Sequence, residues 1–66
     1  MELEVELELY QERGISLYLG GQPSSPQSIA AACQIAEDGG YMRDYTEDES
    51  GQIARVNFDF ISVREE

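Results

Sequence analysis

Histidine, lysine and tryptophan do not occur in this 66-residue chain, and Cys33 is its only cysteine. A lone cysteine excludes an intrachain disulfide, and without histidine or a second thiol a zinc site would have to be assembled from carboxylates. Histidine is also the commonest general base, so its absence removes the usual route to an activated serine or cysteine nucleophile. Cys33 lies among alanines, where a cysteine normally packs as a small hydrophobe. Basic charge is scarce as well, with four arginines against fourteen acidic residues and a formal charge of −10. That imbalance repels DNA, RNA and anionic membranes, which are bound through basic footprints. No run approaches the roughly 18 apolar residues of a membrane span. The start, Met1-Glu2-Leu3-Glu4, lacks the basic region and apolar stretch of a signal peptide, so the expected location is cytoplasmic.

Hydrophobic residues nevertheless make up 41% of the chain, in periodic order, which predicts folding rather than disorder. The length suits a single acidic domain over 1–66, although a domain of this size buries only about 60% of its unfolded surface and is marginally stable. Glu2 to Leu9 alternates strictly between acid and aliphatic, the period-two pattern of a strand with one wet face. Ile15, Leu17 and Leu19 alternate likewise, and Gln11-Glu12-Arg13-Gly14 between them has the form of a hairpin turn closed by a glycine at positive φ. A helix is predicted from Pro26 to about Asp38, with Ser24 or Ser25 as N-cap and a stripe of Ile29, Ala32, Cys33 and Ala36. A second hairpin joins Tyr41–Glu47 to Ile53–Val63 through Asp48-Glu49-Ser50-Gly51-Gln52. In its first strand two registers compete: one points Met42, Asp44 and Thr46 inward, and a one-residue slip points Tyr41, Arg43 and Tyr45 inward. The first is preferred here.

These elements predict an α+β fold, ββαββ, with a four-stranded mixed sheet in the order 2-1-4-3 and one helix packed on one face. The expected core is Leu3, Val5, Leu7, Leu9, Leu17, Leu19, Ile29, Cys33, Val56, Phe58 and Phe60. A fold of this kind offers little cleft for paired catalytic carboxylates, so no enzyme, cofactor or metal site is expected. The oxygen ligands Asp44, Thr46, Asp48, Glu49 and Ser50 bunch around one turn. They fail the calcium-loop spacing, because Glu49 stands where glycine is needed and Arg55 where glutamate is.

What remains is surface. On a strand, Glu2, Glu4, Glu6 and Glu8 would form an acidic line on the order of 20 Å long, with relief from Arg55 and Arg43 on neighbouring strands. The same helix-free face would carry Tyr18, Tyr41 and Tyr45, and tyrosine and arginine are enriched at interface hot spots. These nine residues are the expected partner-binding set. The expected function is non-catalytic protein-protein interaction, with a protein partner, basic or otherwise, or with a second copy in a homodimer. The alternative is an acidic nucleic-acid mimic that occupies the groove of a basic DNA- or RNA-binding protein.

Overall fold

Leucine and glutamate are both strong helix formers, and Val5 is the only β-branched residue between Glu2 and Glu12. In the computed structural model, which describes residues 2–36 and 39–62, this propensity prevails and the first element is a helix, α1 (Leu3–Glu12). Leu3, Leu7 and Tyr10 stand at i, i+4 and i+7, so a sequence that alternates every second residue also lays one apolar stripe along a helix. Leu7 is fully buried, with Leu3 and Tyr10 packed around the core. Val5 and Leu9, expected inside, fall on the outer side and are 44% and 39% exposed.

The predicted hairpin turn is instead the C-terminus of α1. Gly14, at φ 82°, donates its N–H to the Gln11 carbonyl at 2.9 Å, and Ile15 donates to the Tyr10 carbonyl at 3.0 Å. This is a Schellman closure, in which a left-handed residue after the last turn lets two amides reach back to helix carbonyls. Ile15 and Tyr10 then pack against the same core, as the motif's apolar contact requires.

From there the order is strand, strand, helix, strand, strand: β1 (Ser16–Leu19), β2 (Gln22–Pro23), α2 (Pro26–Gln34), β3 (Gly39–Glu47) and β4 (Ile53–Ser62). The fold is α+β with a mixed four-stranded sheet ordered β2-β1-β4-β3, the expected 2-1-4-3 arrangement. The first two positions are filled one segment later than anticipated, by β1 and the short β2, and α1 is a second helix. Ser25 caps α2, its Oγ accepting the Ser28 N–H at 3.1 Å, and Pro26 occupies the first turn. Ile29 is buried, with Ala32 and Cys33 half-buried beside it. The helix ends at Gln34; its expected extension through Glu37 and Asp38, and that of the last strand to Val63, lie outside the described residues.

β1 runs parallel to β4, with Leu17 beside Val56 and Leu19 beside Phe58, and the core gathers where α1 and α2 meet this pair. Leu7, Leu17, Ile29, Val56 and Phe58 are buried. Phe60 shares their face but lies beyond the stretch that β1 covers, and it is 48% exposed with Tyr41 edge-on at 5.4 Å.

Candidate binding surface

The β3 register decides which side chains are offered to solvent. β3 pairs with β4 through Tyr41↔Phe60, Arg43↔Phe58 and Tyr45↔Val56, so these three side chains share the helix side of the sheet with the buried Phe58 and Val56. The preferred register, with Met42, Asp44 and Thr46 inward, is therefore corrected: those residues lie on the helix-free face, opposite Asp59, Asn57 and Arg55.

A charged side chain on the core side needs a partner, and α1 supplies it. Arg43 donates from Nη1 to Glu6 Oε2 at 2.7 Å and from Nη2 to Glu6 Oε1 at 3.3 Å, a two-pronged contact, while its guanidinium lies 5.3 Å from the Phe58 ring centroid. Tyr10 donates its hydroxyl to Glu6 Oε2 at 2.9 Å. The hydrogen bond from Arg43 holds the Glu6 carboxyl below its ordinary range. Burial, and then the bond to Glu6, push the Tyr10 phenol up to about 12. Tyr45, exposed at the rim, adds to the network beside Arg43 and Tyr10.

The nine residues expected on one surface are thus divided. Tyr18 and Arg55 do share the helix-free face, with the Arg55 guanidinium 4.9 Å over the Tyr18 ring. Tyr41, Arg43 and Tyr45 lie on the opposite side. Glu2 precedes α1, and Glu4, Glu6 and Glu8 point around its circumference, because residues two apart on a helix diverge by about 200° instead of aligning. The straight acidic row does not exist. Arg43 does relieve a glutamate, as expected, but across the helix-sheet interface.

The expected order 2-1-4-3 sets the third strand at the sheet edge, and the structure shows which groups that edge presents. The Gly20 N–H donates to the Phe58 carbonyl at 2.8 Å, so the even-numbered backbone groups of β4 turn toward β1 and the odd-numbered ones toward β3. Met42 and Asp44 exchange ladder bonds with β4, and the N–H and C=O groups of Tyr41, Arg43 and Tyr45 point away from the sheet. Among the described residues nothing pairs with that edge. Exposed apolar side chains flank it: Met42 at 54% and Tyr45 at 46%, with Phe60 and Ile61 on the adjoining strand. Its far end is fixed by a turn in which Asp48 Oδ1 accepts from the Ser50 N–H, the Ser50 hydroxyl and the Gln52 N–H. Those bonds, the Gln52 contact foremost, hold the Asp48 carboxyl below its ordinary range.

Elsewhere, a groove of about 500 Å³ opens between the start of α1 and α2, lined by Glu2, Leu3, Glu4, Ala30, Cys33 and Gln34. Burial pushes the Cys33 thiol up, which leaves it protonated and weakly nucleophilic at neutral pH. Among the described residues no helix is long and apolar enough to cross a membrane. Comparison with protein-family models, curated proteins and solved structures found no match.

Proposed function

We propose that this protein is a non-catalytic protein-protein interaction module that works by pairing its β3 edge with a strand of a partner, heterologous or a second copy. One observation carries the reading: β3 is nine residues long, stands at the sheet edge, and holds no proline or lysine to blunt it. Edges of that kind are templates for strand addition, and natural monomers normally protect them. The apolar residues beside it provide the side-chain contacts that such pairing needs for specificity. A chain without histidine, whose one thiol is held protonated, offers little to catalysis. An unpaired cysteine suits a reducing compartment, and we place the protein in the cytoplasm on that ground. The nucleic-acid mimic loses its motive, because the glutamates that were to imitate a phosphate row are dispersed around α1.

The test is sedimentation of the purified chain together with affinity capture, each repeated with Tyr45→Pro, which removes an outward N–H without touching the ladder to β4. Self-association or capture that the substitution abolishes is the expected result. A monomer that captures nothing, or binding indifferent to the substitution, would contradict the reading.

A further inference from the structure

The charges along β3 give its open edge a chemical preference. Arg43 is neutralised by Glu6, which leaves the exposed Asp44 and Glu47 as the uncompensated charges of the strand among the described residues. Asp59 adds a third acid beside Met42 on the helix-free face. Around them the chain as a whole carries −10.

We propose that the β3 edge receives, as an added strand, an extended basic segment of another protein in which lysine or arginine alternates with apolar residues. The inference rests on the reading of β3 as a binding edge. Alternation follows from the two faces: on the helix-free side the incoming side chains meet Asp44, and on the helix side they meet Tyr41 and Tyr45. A second copy is the poorer occupant. It would set the exposed acids of one β3 against an edge carrying the same acids, between two bodies of like charge. The acidic body thereby restrains self-pairing at an edge that must stay open for a basic strand. The two occupants respond to salt with opposite sign, since a basic segment is released by salt and a like-charged copy is favoured.

The experiment titrates the full-length, isotope-labelled chain with a short peptide alternating lysine and valine, and with a control in which glutamate replaces lysine. The readout is amide hydrogen exchange at Tyr41, Arg43 and Tyr45. The lysine peptide should slow those amides by about tenfold or more and lose about tenfold in affinity between about 50 and about 300 mM salt. Asp44→Lys, at an exposed position, should weaken it severalfold, and the glutamate peptide should protect nothing. Equal protection by both peptides, or none by the lysine peptide, overturns the inference. If those amides are instead protected as protein concentration and salt rise, the occupant is a second copy and the edge reading survives. If neither peptide nor concentration protects them, the edge reading falls as well.

Discussion

The two outer edges of the sheet are finished in different ways. β2 is two residues long, includes Pro23, and leads directly into α2 through the Ser25 cap. β3 runs for nine residues with a single register shift, at Thr46/Glu47, and presents alternate backbone groups to solvent. Proline and brevity remove the means of pairing from the first edge. The second carries neither block, and under the proposed reading its restraint is charge, which would discriminate among partners instead of excluding them all.

Proline scanning along β3 breaks this contrast most forcibly. Asp44→Pro deletes a ladder bond to β4 at the Asn57 pair, which should cost about 3 kcal/mol and unfold so small a domain in thermal or chemical denaturation. Tyr45→Pro, one residue on, meets no ladder bond and should cost about 1 kcal/mol while abolishing strand addition. Equal destabilisation by the two would deny that parity decides.

The Glu6-Arg43 contact, which ties β3 to α1, offers a smaller handle. Glu6→Gln should lower stability by about 1 kcal/mol, given that both side chains are about a third exposed. Because the carboxyl is held down in the folded state, its contribution is in place above the ordinary glutamate pKa and is lost as pH falls through the folded value. Denaturation followed against pH should show that acid limb in the natural chain and a shallower one in the variant, where Asp48 still contributes. The Tyr10 phenol acts in the opposite range: its neutral form is favoured, so stability holds up to about pH 10 and declines as pH rises toward about 12. Least of all, Pro23→Val should change stability by only a few tenths of a kcal/mol, because two residues are too few to recruit a strand even without proline. A dimer created by that substitution, detected by sedimentation, would show that proline rather than length guards the edge.

β4, the α2 cap and the α+β sheet order were legible because each signal had one physical meaning. Val56 and Phe58 alternate with Arg55 and Asn57 between turn residues, and Ser25-Pro26 starts a helix by supplying an acceptor and dispensing with a donor. Residues 2–9 carried two meanings. Alternation every second residue fits a strand, yet Leu3, Leu7 and Tyr10 also fall on one helical stripe, and the glutamates between them favour helix and disfavour strand. In this segment propensity outweighs period.

The β3 register differs because of a local shift at Thr46/Glu47: beside the turn Glu47 pairs with Ile53, but Thr46 pairs with Arg55, so every pair beyond slips by one residue and Arg43 turns to the core side. With α1 in place, Glu6 is there to receive it. The outermost place of β3 was implied by the expected order 2-1-4-3, whereas which of its backbone groups face outward depends on the register, which the shift at Thr46/Glu47 displaces.

Hydrogen exchange on the free protein, read residue by residue along β3, is the sharpest probe of the open edge. The amides of Met42 and Asp44 should exchange slowly and those of Tyr41, Arg43 and Tyr45 faster by about tenfold or more, because only the first pair donates into β4. Slow exchange at all five, or protection of the odd-numbered residues alone, would contradict an unpaired β3 edge in this register.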